Sequence, residues 1–244
     1  MQSRAGVAIL RLDRPAKGNA LSAALVETLA QQLRAAQADP AVHTIAFAGE
    51  GRNFCTGFDL SDLEQVDDAA LLQRFVRIEL LLDAVWRSPV RTVVLAQGRT
   101  WGAGADLFAA CDLRLATADA NFRFPGAGFG IVLGTRRLAQ RVGRDEALRL
   151  TSLGGSLACD AAVAAGLASA QVADSSDETL LAHCAAPTAD RATVAALRDA
   201  TADADGDRDL AALVRSAARA GLKERIMEYR ARSVPPAKIQ AAIL

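Results

Sequence analysis

The sequence predicts an α/β protein built on a parallel sheet, and three observations predict it. Apolar runs rich in β-branched residues at 42–48 and 90–96 read as buried strands. A helical pattern separates the first strands, and strand–helix–strand is the unit of a parallel sheet. The third is the run from Val90 to Asp112. It passes from an apolar strand through Gly98, Gly102 and Gly104 into an alanine-rich helix with Asp106 in its first turn. At 244 residues, 51% of them hydrophobic, the chain can bury a full core as one domain or one domain plus an appendage.

Taken in order, residues 6–12 form a strand that is apolar on both faces until Arg11. The turn Asp13-Arg14-Pro15-Ala16-Lys17-Gly18-Asn19 breaks it. Ser22 caps a helix running to about Gln37, with Leu21, Leu25, Leu29 and Leu33 on one face, and Asp39-Pro40 stops it. Residues 42–48 are the second strand, ended by Gly49-Glu50-Gly51. The loop 51–60 is too apolar for an exposed connection and reads as packed on the core or on a ligand. Asp67 and Asp68 start a long helix whose stripe of Leu71, Phe75, Ile78, Leu82 and Val85 faces the core or a neighbouring subunit, and Pro89 ends it. After the central stretch come a strand at 113–116, a loop at 121–130, and helices near Arg136, near Asp145 and at 160–165, with Gly166 as C-cap. Asp174-Ser175-Ser176-Asp177 marks a boundary. Residues 1–177 are read as the core and 178–244 as a helical appendage containing a loop at 201–209.

Composition narrows the partners. Formal net charge is zero, which gives no electrostatic footprint for nucleic acid or an anionic membrane. The first residues lead into a strand without a signal-peptide apolar region, and no apolar run reaches the length of a membrane span. Cys55, Cys111, Cys159 and Cys184 are scattered with no C-x-x-C pair, and the only histidines are His43 and His183. This pattern predicts reduced thiols, no metal centre and a cytoplasmic location.

The chemistry concentrates at the central stretch. The first amides of a helix have no intrahelical acceptor and carry the positive end of its dipole. Gly102 and Gly104 present no side chains that would hold a ligand away. The stretch is either a site for a negatively charged oxygen or a tight strand-to-helix connection. The third glycine of a dinucleotide fingerprint is missing, since Leu107 stands there, and no G-x-S-x-G elbow occurs.

Arg14-Pro15-Ala16-Lys17-Gly18-Asn19-Ala20-Leu21, Phe54-Cys55-Thr56-Gly57-Phe58-Asp59-Leu60, Gly102-Ala103-Gly104-Ala105-Asp106-Leu107, Cys111-Asp112 and Phe122-Arg123-Phe124-Pro125 follow one another as in the crotonase superfamily, the enoyl-CoA hydratases and isomerases. The chain resembles that family from about Gly6 to Asp174. The resemblance implies a crotonase-like spiral of repeated ββα units with a C-terminal helical region used for subunit contacts, in a homotrimer or dimer of trimers. It also implies an acyl-CoA thioester as partner and no cofactor beyond the coenzyme A of the substrate. The thioester oxygen would lie in an oxyanion hole formed by the amides of Phe58 and Ala103. Ala103 stands where the family commonly has glycine, which keeps the amide and narrows the space.

By the same resemblance the substrate-binding positions are Lys17, Ala20, Gly57, Asp59, Leu60, Trp101, Gly102, Arg123 and Gly126. Lys17 would approach the CoA phosphates or sit on the surface. Arg123 would face a substrate carboxylate or solvent, and Trp101 would wall the pocket. Asp59 also fits a turn or cap, Asp112 a buried anchor, and Cys55 and Cys111 packing. The family's two glutamates fall on Asp106, one methylene shorter, and on Gly126, which has no side chain. Asp106 is a catalytic candidate or a dipole-complementing helix residue. Ordinary hydration is expected to be weak or absent. The open readings are a CoA-thioester isomerase, decarboxylase or hydrolase, or a non-catalytic acyl-CoA-binding protein or assembly subunit. Residues 130–138 are shorter than the family's loop, so the acyl pocket is expected to be unusual.

Overall fold

The computed structural model describes residues 1–201 and 205–233. Strands β1 (Gln2–Arg4) and β2 (Val7–Leu12) form a hairpin, helix α1 (Ala23–Ala38) follows, and β3 (Thr44–Gly49) lies parallel to β2. Three turns of a repeating unit come next. β3 leads through the loop at Cys55 into α2 (Asp68–Trp86). β4 (Arg91–Ala96) and β5 (Arg99–Trp101) lead into α3 (Ala103–Ala110). β6 (Leu113–Thr117) and β7 (Asn121–Arg123) lead into α4 (Thr135–Val142). The second and third turns each add one strand to each of two sheets, and the first adds β3 to the larger alone. The larger sheet runs β1-β2-β3-β4-β6-β9, all parallel except β1, with β9 spanning Ala170–Val172. The smaller runs β5-β7-β8, with β8 at Ser156–Ala158, and Cys55 pairs with Thr100 on β5 as one more bridge. This is the spiral of ββα units expected from the motifs.

The elements form for local reasons. Ser22 Oγ accepts from the Leu25 amide at 3.2 Å and starts α1, and Asp67 Oδ1 accepts from Ala70 at 2.8 Å and starts α2. The α2 stripe of Leu71, Phe75, Ile78, Leu82 and Val85 is buried within the chain, so it is core. The central strands read as continuous apolar runs because both of their faces are covered. One face carries α1, α2 and α3, while the other packs on Leu180 of α7 (Asp177–Ala182).

Some elements differ from expectation. The turn after β4 contains β5, and the loop 121–130 contains β7 and a 3₁₀ turn, Pro125–Phe129. Strands of three residues are too short for periodicity to register. The loop expected to last until Asp209 ends sooner, because α9 (Gly206–Ala217) has already begun at Gly206. The remaining helices are α5 (Arg144–Ser152), α6 (Cys159–Ala164), α8 (Arg191–Thr201) and α10 (Leu222–Ser233). Of the region 178–244, residues 202–204 and 234–244 lie outside the described ones. Leu213, Ala217, Leu222 and Ile226 of α9 and α10 pack on Leu63, Leu71, Phe75 and Ile131 of the same chain. Those four positions are therefore spent inside the chain, while Val214 and Met227 of the same helices are exposed. Asp68 fixes α10 by accepting from the amides of Leu222 and Lys223 at 3.0 and 2.8 Å. Among the described residues no helix is long and apolar enough to cross a membrane, and no group of three His, Cys, Asp or Glu could hold a metal ion.

Candidate active site

Two loops bring two backbone amides together. The segment from Phe54 runs beside β5, with Phe54 N–H donating to Gln97 at 2.8 Å, Cys55 to Arg99 at 3.2 Å and Trp101 to Cys55 at 2.9 Å. Leu21 then clasps the residues on either side of Phe58. It donates to the Gly57 carbonyl at 2.8 Å and accepts from Asp59 at 3.3 Å. In parallel pairing the residue between those two contacts turns its own N–H the other way. Phe58 N–H accordingly meets no backbone acceptor among the described residues.

Gly57 and Gly102 hold positive φ, +98° and +52°. A Cβ on Gly57 would lie 2.9 Å from the Trp101 carbonyl oxygen and 3.6 Å from Gly102 Cα. Two glycines allow this approach, which brings the backbones just before Phe58 and Ala103 close together. Gly102 N–H is held by the Arg123 carbonyl at 2.8 Å, and α3 starts with no side chain capping it. Ala103 N–H, the first of the helix, also meets no acceptor among the described residues. Two unsatisfied donors at the positive end of a buried helix suit a developing oxyanion.

Asp106 sits one turn into α3 and is 5% exposed. A Cβ on Gly134 would be 2.6 Å from the Asp106 Cγ, so the Gly134 backbone (φ +65°) lies directly on the carboxyl. No described group donates a hydrogen bond to it. Burial pushes the Asp106 carboxyl well above the ordinary aspartate range, with Arg137 acting against the rise and Glu79 adding to it. Arg137 itself is fully buried. Its Nη2 donates to both Glu79 oxygens at 2.7 and 2.6 Å, and its Nη1 donates to Asp209 at 3.0 Å.

At Gly126, where the resemblance places the family's second glutamate, the space is tight as well as the side chain missing. A Cβ on Gly126 would meet the Ile131 carbonyl oxygen at 3.2 Å, while Ile131 N–H donates to the Gly126 carbonyl at 2.9 Å. The short segment 130–134 thus lies over both positions. Ile131 crowds one and Gly134 covers the other.

The other predicted residues take varied places. Gly57 and Gly102 approach each other just before Phe58 and Ala103, and Leu60 lies partly buried beside Phe58 on the cluster around Phe75. Arg14 links Ala20 and Asp59, donating to the Ala20 carbonyl and to Asp59 Oδ2, each at 2.7 Å. Burial alone would raise the Asp59 carboxyl, but hydrogen bonds from Arg14 and Ser61 hold it below its ordinary value. That is the turn role. Lys17 is exposed. Trp101 donates to Asn121 Oδ1 at 3.1 Å, and its ring carries Arg99 at 4.7 Å and Arg123 at 5.9 Å. Arg123 thus serves the site through its carbonyl, while its guanidinium stacks on Trp101. Asp112 Oδ2 accepts from Thr92 N–H at 2.7 Å and Thr92 Oγ1 at 2.9 Å, as an anchor does. The Cys55 thiol is buried and pushed up to about 12, far from a thiolate nucleophile.

The family model for enoyl-CoA hydratase/isomerase matches residues 2–222. The chain belongs to the enoyl-CoA hydratase/isomerase family. A curated relative, the probable enoyl-CoA hydratase echA6 of Mycobacterium leprae, is 34% identical over 169 residues, covering 67% of this chain and 66% of that protein. The 2,3-dehydroadipyl-CoA hydratase of Escherichia coli is 33% identical over 171 residues, covering 67% and 64%. The chain thus spans just under two thirds of the length of these curated relatives. Among solved structures, an enoyl-CoA hydratase/isomerase family member from Bordetella parapertussis superposes with a TM-score of 0.91 at 44% identity, covering 96% of this chain and 98% of that one. An enoyl-CoA hydratase from Bacillus halodurans reaches 0.80 at 21% identity over 93% and 98%, which shows the shared crotonase fold alone.

Residue-by-residue reading of this enoyl-CoA hydratase/isomerase family sequence missed Asn19, Glu79, Gly134 and Arg137. Asn19 is fully buried at φ +57°, and its amide donates to the Glu50 and Asn53 carbonyls at 2.9 and 2.7 Å, tying the two loops. Glu79 did leave a signal, since it is a carboxylate on the buried stripe of α2. Arg137 left none that separates it from Arg136.

Proposed function

We propose that the chain binds an acyl-CoA thioester, holds its carbonyl oxygen between the amides of Phe58 and Ala103, and uses Asp106 as the proton carrier at the α-carbon. The pair of unsatisfied, adjacent amides carries this reading. An enolate formed next to a thioester places its charge on that oxygen, and fixed donors in a dry site are worth several kcal/mol there. Phe58 stacks on Phe75 at 4.3 Å beside Leu63, Leu71, Ile131 and Leu133, which supplies an apolar wall for the acyl group. Lys17 is available to the CoA phosphates from its exposed turn. The substrate's coenzyme A is the only cofactor required. The working form is a homotrimer or dimer of trimers in the cytoplasm, as the resemblance implies.

Hydration of a double bond needs one group to activate water and one to deliver a proton, or a single group doing both. With no side chain at Gly126, Asp106 acts alone. Crotonyl-CoA hydration should therefore be weak while thioester binding persists. Calorimetric binding of butyryl-CoA, together with crotonyl-CoA turnover, tests both statements. Absence of thioester binding would overturn the reading, and rapid hydration would overturn the loss of the second group.

A further inference from the structure

The segment from Gly126 to Gly134 borders the candidate site, and its composition does not hold it to one path. Four of its nine residues are glycine, the residue with the least restricted backbone. Two of its amides close short turns, Gly130 N–H on Ala127 at 3.0 Å and Ile131 N–H on Gly126 at 2.9 Å. A further grip comes from the α9–α10 helix pair. Arg225 Nε donates to the Phe129 carbonyl at 3.1 Å, while its Nη1 is anchored on the Arg219 and Ala220 carbonyls at 2.8 and 2.6 Å. Ser216 Oγ accepts from the Val132 amide at 3.0 Å. The Tyr229 ring lies against Gly128, where a Cβ would meet Cε2 at 2.7 Å, and it tilts on Phe129 with centroids 5.2 Å apart. Residues on both sides of Ile131 are thus pinned by one helix pair, and Ile131 is turned into the apolar cluster with Leu213, Ala217, Leu222 and Ile226.

We propose that Arg225, Ser216 and Tyr229 are positioning residues that restrict the site to thioesters of short acyl chains, by holding Ile131 where a longer chain would have to lie. The inference deepens the thioester reading and rests on it.

A carbonyl oxygen held by the Phe58 amide puts the acyl carbons within reach of the Phe58 side chain, which stacks on Phe75 inside this same cluster. The cluster is already full, since each of its eight core residues is 3% exposed or less. A close-packed interior takes an extra methylene only by forcing side chains off their preferred rotamers or shifting backbone. The part of the wall best able to shift is the glycine-rich segment that carries Ile131. What resists that shift is the grip of α9 and α10, so the grip sets the length of chain admitted.

Calorimetric titration of the full chain with butyryl-, hexanoyl- and octanoyl-CoA reads the limit. Affinity should fall from butyryl to octanoyl by about five- to a hundredfold, the range that overpacking a core produces. Equal affinities would overturn the length limit and leave the thioester reading standing. Failure of all three to bind would strike the thioester reading, and the limit with it. Arg225→Met keeps an apolar stem and removes the donors. The affinity for octanoyl-CoA relative to butyryl-CoA should then rise by about two- to tenfold, the worth of one hydrogen bond. Arg225→Lys, which can still donate to a carbonyl, should restore part of the preference. A residue that only stabilised the fold would lower the melting temperature and leave this ratio unmoved. Ser216→Ala loses one hydroxyl from a half-buried position, and it decides alone should Arg225→Met fail to fold by circular dichroism. In it the ratio should rise in the same direction, and hydrogen exchange at the Val132 amide should quicken. An unmoved ratio in the folded variants would overturn the proposal, and so would unchanged exchange at Val132.

Discussion

The two ends of α3 are finished in opposite ways. At its N-terminus Gly102 offers no capping side chain, and the Ala103 amide meets no acceptor among the described residues. At its C-terminus the carbonyls are collected by a buried arginine, Arg114, and a half-buried one, Arg141. Arg141 donates to Ala109 and Cys111 at 3.0 and 2.9 Å, and Arg114 donates to Cys111 at 3.1 Å and Asp112 at 2.6 Å. Burial draws both guanidiniums below the ordinary arginine value, Arg114 to about 10, so the chain accepts a real cost to satisfy this end. A protein that finishes one end of a buried helix so fully has the means to finish the other. The open end is thus the place where a ligand is expected to complete the hydrogen bonds.

The largest effect should come from closing the open end. Ala103→Pro removes one amide donor at the first position of the helix, where proline is tolerated best and no hydrogen bond is lost in the free protein. Turnover should fall by about 10² to 10³, as for loss of one oxyanion donor. A folded Ala103→Pro variant with full activity and thioester affinity would show that the end is not a site.

Damage at the finished end should appear as instability instead. Arg141→Met keeps an apolar stem against Trp86, over which the guanidinium lies at 4.7 Å, but strips the charged donor from the Ala109 carbonyl. Hydrogen bonds to charged groups are worth about 1.5–3 kcal/mol, and a loss of that order is expected in urea unfolding. Thioester affinity per folded molecule should hardly change. If affinity fell tenfold while stability held, the division of labour between the two ends would be wrong.

How much of this was legible depended on where the signal lived. The parallel sheet, α1, α2 and the helix start at Ala103 were readable, because apolar periodicity and Ser, Asp and Gly punctuation are local properties. The amide pair was legible only as two motifs. Nothing in either stretch says that Gly57 and Gly102 touch, which follows from the Cys55–Thr100 pairing and the clasp at Leu21. Gly126 was readable as a lost side chain. That Ile131 crowds the space, and that Gly134 covers Asp106, depends on the path of a short loop in three dimensions. β5 and β7 escaped because three residues cannot show a period, and Arg137 because its burial is set by α2 and α9.

Asp106 sharpens the comparison from within the open end. A carboxylate in a helix's first turn ordinarily adds about 0.3–1 kcal/mol through the dipole. Here burial outweighs that, since the Asp106 carboxyl is raised in the folded protein. Between the unfolded aspartate value of about 3.9 and the folded value, the folded state keeps a proton that the unfolded state has released. Stability then falls as pH rises through that window. Asp106→Asn removes the penalty, so its melting temperature should exceed that of the parent at neutral pH, and the advantage should shrink toward pH 4. A variant that is uniformly less stable at every pH would return Asp106 to the role of a dipole residue.

The smallest effect expected is at an ordinary helix start. Ser22 caps α1 by accepting from the Leu25 amide at 3.2 Å, which supplies from a side chain what α3 lacks. Removing the hydroxyl in Ser22→Ala leaves that amide to water, since Ser22 is half-buried and solvent can reach the turn. Cap deletions cost about 0.5–2 kcal/mol, and a contact this long and wet belongs at the lower end. Urea unfolding should register that loss with the slope unchanged. Butyryl-CoA affinity should stay within a factor of about two, because a change well under 1.4 kcal/mol at a distant cap is less than a tenfold effect even if fully transmitted. Should Ser22→Ala instead weaken binding as much as Ala103→Pro, the amide of Phe58 would owe its position to the α1 cap through Leu21. The donor pair would then be a property of the whole α1 entrance rather than of the open end of α3.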